Sequence, residues 1–205
     1  FIASGVGNGS YNGFISSWAA HSSFQDIIIR DSTLRDSETT QLNFSGMVVG
    51  RSGYWNQFDF LSVDVDISLS SYGQYIGGVT GWAWLSNNFE NSVIKGTIVG
   101  GDLKLGGFVG GGREVYFKNT ISEIDISGND GAFYCGGLVG NVYKVGSPEH
   151  SSIRTFNSVS KAKIKCSGGV NETNHLSSDH LNFAFNHYYQ NNRAGYNFWF
   201  DVDTD

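Results

Sequence analysis

The chain has 205 residues, with 40% apolar, 15% aromatic and only 16% charged side chains, 28 glycines and a net charge of −6. That is enough length for one domain with a continuous core, and the apolar content does not suit a disordered segment. No apolar run approaches 18 residues and no basic cluster stands out, so neither a membrane span nor a nucleic-acid partner is expected.

Residues 1–13 contain Gly5, Gly7, Gly9 and Gly13 and read as a capping segment. Phe1 takes the place of a Met, the expectation for a processed mature protein or a piece of a longer one. Residues 14–45 look like a degenerate first coil, ending its apolar run at Leu34.

From residue 46 a phrase repeats. Gly46-Met47-Val48-Val49-Gly50, Gly77-Gly78-Val79-Thr80-Gly81, Gly106-Gly107-Phe108-Val109-Gly110 and Gly136-Gly137-Leu138-Val139-Gly140 start at steps of 31, 29 and 30 residues. A fixed step of that size marks a repeat array. A second phrase follows each copy and ends on Ile67, Ile98, Ile126 or Ile164, the third step being stretched by an insertion at 145–152 that holds Pro148. Its last residues alternate apolar and polar, the pattern of a half-buried strand, and no 3.6-residue period is sustained.

A Gly-rich corner and short strands every 30 residues predict an all-β, right-handed parallel β-helix, or β-solenoid, of about five coils, each coil burying its face against the next. Rungs about 4.8 Å apart make a stub of roughly 24 Å. The inward rows are Ile67, Ile98, Ile126, Ile164, then Val65, Gly96, Ile124, Ala162, then Val48, Val79, Phe108, Leu138. The corner glycines suit positive φ or a close approach of backbones. Residues 171–205, rich in Asn, His and aromatics, break the pattern and read as a C-terminal cap or contact segment, so that 1–205 form one domain with its regular coils at 46–170.

The phrase Gly-Gly-Leu-Val-Gly followed by an Asn-headed strand resembles the GLUG repeat of bacterial and protist surface proteins, including adhesins and the stalks of some secreted peptidases. The resemblance covers residues 46–170, with a weaker echo in Phe198-Trp199-Phe200-Asp201-Val202-Asp203-Thr204-Asp205. It implies an extracellular, cell-surface β-solenoid and carries over no catalytic residues.

Candidate functional residues follow from phase. Cys135 and Cys166 are one step apart, which places them on adjacent rungs near 5 Å, within the roughly 4.4–6.8 Å that a disulfide spans. Such a bond would add about 3–4 kcal/mol in the chain-entropy model. The alternative is two buried thiols in a row with Ile76 and Leu105. The sequons at Asn8, Asn43 and Asn171 are glycosylation candidates if the chain is secreted from a eukaryotic cell.

The outward rows Asp64, Lys95, Glu123, Lys161 and Asp66, Thr97, Asp125, Lys163 interleave acids with lysines, which reads as a register-fixing charge ladder more readily than as a carboxylate cleft. Asp201, Asp203 and Asp205 have the spacing of a calcium loop but lack its Gly and Glu. His21, His150, His175, His180 and His187 show no zinc spacing with the cysteines, and no hydrolase, P-loop or HExxH phrase occurs. No metal or cofactor is therefore expected.

The function expected is a non-enzymatic structural or adhesive module, self-associating end to end into a surface filament. The alternatives are a carbohydrate-binding module using Trp55, Trp82, Trp84, Tyr188, Tyr189 and Trp199, whose rings can stack on sugars, and, further off, a polysaccharide lyase or hydrolase.

Overall fold

The computed structural model describes residues 11–36, 42–69, 74–100, 104–128, 134–142, 153–165 and 173–174. All regular structure in them is β. The first turn runs through β1 (Tyr11–Asn12), β2 (Ser16–Ala19), β3 (Ser23–Gln25), β4 (Ile28–Ile29) and β5 (Leu34–Arg35). The second has β6 (Phe44–Gly46), β7 (Val49–Ser52), β8 (Gln57–Asp59) and β9 (Ser62–Ser68). The third has β10 (Tyr75–Gly77), β11 (Thr80–Ala83), β12 (Asn87–Glu90) and β13 (Val93–Val99). The fourth has β14 (Lys104–Gly106), β15 (Val109–Gly112), β16 (Val115–Lys118) and β17 (Ile121–Ser127). Then come β18 (Tyr134–Gly136), β19 (Val139–Val142), β20 (Ile153–Phe156), β21 (Val159–Ser160), β22 (Lys163–Lys165) and β23 (Thr173–Asn174).

Every strand pairs in parallel with its counterpart one turn away, building four sheets. Sheet A has the order β1-β6-β10-β14-β18-β23, sheet B β19-β15-β11-β7-β2, sheet C β20-β16-β12-β8-β3 and sheet D β21-β17-β13-β9-β4, with β5 and β22 added to its edges on β9 and β17. The chain is thus a parallel β-solenoid. Against about five coils expected, the described residues form about four turns, with a further one described in part.

The expected rows hold. Leu34, Ile67, Ile98, Ile126 and Ile164 stand in register along sheet D, as do Val65, Gly96 and Ile124. Val48, Val79, Phe108 and Leu138 are fully buried at the A–B corner, each backbone N–H of the first three donating to the carbonyl of the next in line. The first turn is less degenerate than its sequence: Tyr11 and Asn12 register with Phe44 and Ser45, so Gly13 takes the place of Gly46. A fourth interior row, Phe24, Phe58, Phe89 and Phe117, is a stack of near-parallel rings with centroids 4.9, 4.6 and 5.3 Å apart.

Of the two reasons offered for the corner glycines, close approach is the one at work. A Cβ on Gly77 would lie 2.2 Å from the Thr80 carbonyl oxygen, and one on Gly110 would lie 2.3 Å from the Ile76 nitrogen. Sheets A and B therefore fold back on one another with backbone against backbone. The positive-φ corners are elsewhere and mostly not glycine: His21, Trp55, Ser86 and Glu114 precede the sheet C strands, and Asp26, Phe60, Asn91, Asn119 and Asn157 follow them. Asn is the residue type that best tolerates this conformation after Gly.

Candidate functional site

Sheet C offers the most chemically varied outward surface. Its strands share a three-residue pattern with a buried centre, Phe in three of them and Thr in the fourth: Gln57-Phe58-Asp59, Asn88-Phe89-Glu90, Tyr116-Phe117-Lys118 and Arg154-Thr155-Phe156. The period of two sends the central residue into the Phe stack and its neighbours to solvent. Two outward rows result, Ser23-Gln57-Asn88-Tyr116-Arg154 and Gln25-Asp59-Glu90-Lys118-Phe156.

The turns at the far end of these rows enclose a shallow groove of about 350 Å³, lined by Asn88, Glu90, Tyr116, Lys118, Arg154 and Phe156. Lys118 Nζ lies 3.4 Å from Glu90 Oε2, and the Arg154 guanidinium sits over the Tyr116 ring at 5.1 Å. At the near end the corners carry Trp55 and Phe60, one on each side of β8 and both exposed. Trp55 is 62% exposed, at φ 51°, with His21 edge-on to it at 4.9 Å and Tyr54 at 6.2 Å. A large apolar side chain that is both exposed and held at positive φ carries two costs at once, the kind of feature associated with function. Aromatic walls, amide floors and a stacked guanidinium are groups that recognise sugar hydroxyls, ring C–H faces and acidic substituents.

A second aromatic ladder runs up the outward face of sheet A. Tyr11, Phe44 and Tyr75 follow each other at 5.2 and 5.0 Å. Lys104 continues the row, its Nζ 4.4 Å from the Tyr75 ring centre and 5.6 Å from that of Tyr134. Burial lowers the Lys104 pKa below its ordinary 10.5, partly opposed by the Tyr134 hydroxyl. The faces of Phe44 and Tyr75 are spent on each other and on Lys104, so this ladder has edges to offer and no stacking platform.

The residues singled out in the sequence are not brought together. Trp55 is open to solvent, but Trp82 is 6% exposed and packs edge-on against Tyr75 at 4.8 Å and Phe44 at 6.5 Å, so its ring is not a contact surface. Trp84 lies 5.7 Å from Trp82 with the Arg113 guanidinium 5.6 Å from its ring. Tyr188, Tyr189 and Trp199 lie outside the described residues, as do Asn8, Asn171 and the Asp201–Asp205 run. Asn43 is only 7% exposed, which leaves no room for a glycan: it immediately precedes β6, and its carbonyl accepts the Tyr75 N–H. Cys135 is buried in register with Leu105, in the row expected, and is not a free thiol, while the backbone position in register with it on the next rung is Thr173. The stretched last step shifts the register, and Cys166 itself lies outside the described residues. Among the described residues no group of three His, Cys, Asp or Glu could hold a metal.

The acids of sheet D stand as a ladder. Asp64 Oδ1 is 3.4 Å from Lys95 Nζ, and Glu123 Oε1 is 3.1 Å from Lys161 Nζ. Sequence reasoning missed the sheet C face. Its signal was the central Phe at positions 24, 58, 89 and 117, which recurs at the repeat step. No helix among the described residues is long and apolar enough to cross a membrane. No family model matches the chain, and no curated protein and no solved structure is similar to it.

Proposed function

We propose that the chain is a non-enzymatic adhesive module of a cell surface or extracellular structure, of the GLUG-repeat kind, and that its contact surface is the outward face of sheet C with a glycan as ligand. The observation that carries this reading is the continuous track from exposed Trp55 and Phe60, across the amides of Gln57 and Asn88, to the groove at Tyr116 and Arg154. Each rung adds about 4.8 Å, close to the length of one pyranose unit, so a glycan laid along the solenoid axis meets one pair of outward residues per sugar. The lysine partners of Asp64, Glu90 and Glu123 favour a structural role for these acids over glycosidic-bond chemistry. A disulfide between Cys135 and Cys166 belongs to the same extracellular reading. It is supported by the absence of a free thiol among the described residues. Glycan arrays test the proposal: binding that is lost in Trp55→Ala and Tyr116→Ala upholds it, and uniformly negative arrays overturn it.

End-to-end association is the second reading, favoured by the first turn. Among the described residues β1 to β4 are the last strands of their sheets, and this turn exposes Ile15, Trp18 and Ile28. Parallel edges with apolar side chains template further strands. Sedimentation over a range of concentrations, with Ile28→Lys as the variant, checks it. A species that stays monomeric at high concentration removes it.

A further inference from the structure

The charge of the solenoid is distributed along its axis. Its first two turns, as described, carry six aspartates against three arginines. The last turn, over residues 134–142 and 153–165, carries Arg154, Lys161, Lys163 and Lys165 and no acid. Lys161 is taken up by Glu123. Arg154, Lys163 and Lys165 are exposed, and no carboxylate among the described residues forms an ion pair with them.

The fold fixes where these three cations sit. Arg154 registers with Tyr116 on sheet C and rests on its ring, which holds the planar fork outward. Lys163 and Lys165 register with Asp125 and Ser127 on sheet D. Being two residues apart on one strand, they leave the same face about 7 Å from each other. They line a second shallow groove of about 250 Å³ with Thr97, Val99, Asp125 and Ser127. Two grooves on adjoining sheets thus meet the same turn, Tyr116 standing between Arg154 and the amides of Asn88 and Gln57, and exposed Phe156 ending the neighbouring row.

From this placement we infer that the ligand is an acidic polysaccharide, whose carboxylate or sulfate groups are held by Arg154, Lys163 and Lys165 while its rings lie against Tyr116 and Phe156. The inference rests on the glycan reading above and narrows it to one substrate class. A guanidinium pre-stacked on an aromatic ring takes a carboxylate or sulfate in a forked pair, and the lysines add point charges. The basic turn attracts the acidic groups and the aspartates of the first turns do not, which sets the end of the track where the charged part of the ligand is held.

The test is binding of the whole chain to immobilised polygalacturonate (carboxylate), heparin (sulfate and carboxylate) and dextran (neutral), with double-stranded DNA as a polyanion without pyranose rings. The expected result is binding to one or both acidic polysaccharides, weakened as salt is raised, and reduced at least about ten-fold in the Arg154→Gln/Lys163→Gln/Lys165→Gln variant, whose melting curve stays that of the parent. Which acidic probe binds separates carboxylate from sulfate recognition. Dextran binding that the triple variant retains would overturn the inference and leave the glycan reading standing. Failure of all three polysaccharides overturns both. DNA binding as tight as that of the acidic polysaccharides also overturns it, because the turn would then be a general polyanion surface.

Discussion

Asn119 donates from its Nδ2 to the Oδ1 of Asn91 at 2.9 Å, and both residues hold positive φ at the same corner of successive turns. Asn157 donates to Asn119 in the same way at 2.8 Å, and Asn91 donates to Asp59 at 2.9 Å. One residue type meets two needs here: it tolerates the left-handed backbone, and its amide is both donor and acceptor, so identical residues can chain. The corner position of the second turn breaks the ladder, because Phe60 occupies it at φ 52°.

Phe60→Asn is therefore expected to stabilise the fold by about 1 kcal/mol, from relieved backbone strain and a regained amide link. Asn119→Ala removes two links and the tolerant side chain and is expected to cost about 2 kcal/mol. Urea unfolding of the two variants reads both signs. If Phe60 serves ligand contact, Phe60→Asn gains stability while losing affinity.

Gly110→Ala would put a Cβ 2.3 Å from the backbone nitrogen of Ile76 and 2.7 Å from the Gly81 carbonyl oxygen. Neither neighbour is a side chain that can turn away. The expected loss is about 3 kcal/mol or more, visible as a fall in melting temperature, whereas Gly53→Ala, whose Cβ meets nothing nearer than 3.2 Å, is far milder.

Phe89 touches rings on both sides, Phe58 at 4.6 Å and Phe117 at 5.3 Å, and is fully buried. Phe89→Ala opens the middle of the stack and is expected to cost about 3–5 kcal/mol. Phe89→Leu keeps most of the volume and should cost less than half as much, a difference that equilibrium unfolding resolves.

The Lys104 ammonium loses hydration between Tyr75 and Tyr134, which lowers its pKa from 10.5. The unfolded chain then holds that proton more tightly than the folded one. Lys104 thus detracts from stability at neutral pH. Its contribution improves as pH rises through the folded-state pKa and levels off above 10.5. Lys104→Met should flatten that part of the stability–pH curve, and an NMR titration of Nζ should find a midpoint below 10.5.

Lys95 stands between Asp64 and Glu123 on the exposed face of sheet D. Lys95→Ala is expected to cost no more than about 0.5 kcal/mol, as for other exposed pairs. Lys95→Glu sets three acids in a row and should cost about 1 kcal/mol at low salt, less at high salt.

The fold was legible because a solenoid writes its contacts into its period. Ile67, Ile98 and Ile126 are neighbours in space since they are one step apart in sequence, and the glycine phrases marked the sharpest corner. The Phe row was as regular but hid behind variable neighbours such as Gln57, Asn88 and Tyr116. Trp82 misled, because an outward position is not an exposed one where sheets A and B close on each other and Tyr75 covers the ring. Asn43 misled likewise, since a sequon carries no information on burial. The insertion before the last strands puts Cys135 in backbone register with Thr173, so counting residues gave the rung there but not the register. The basic turn was spelled out by Lys161, Lys163 and Lys165. Its isolation became visible only once Lys161 was matched with Glu123 and the other two were not.

Sheet pairing in this chain always joins residues about one turn apart, as in Val65 with Gly96 and Gly96 with Ile124. Under tension such a structure has no single bond to break. A pull applied through the chain ends strips the outermost turn and leaves the next one intact beneath it. Each turn let go releases about 30 residues, or about 100 Å of extended chain. A module of this build would yield to a sudden load by lengthening in steps.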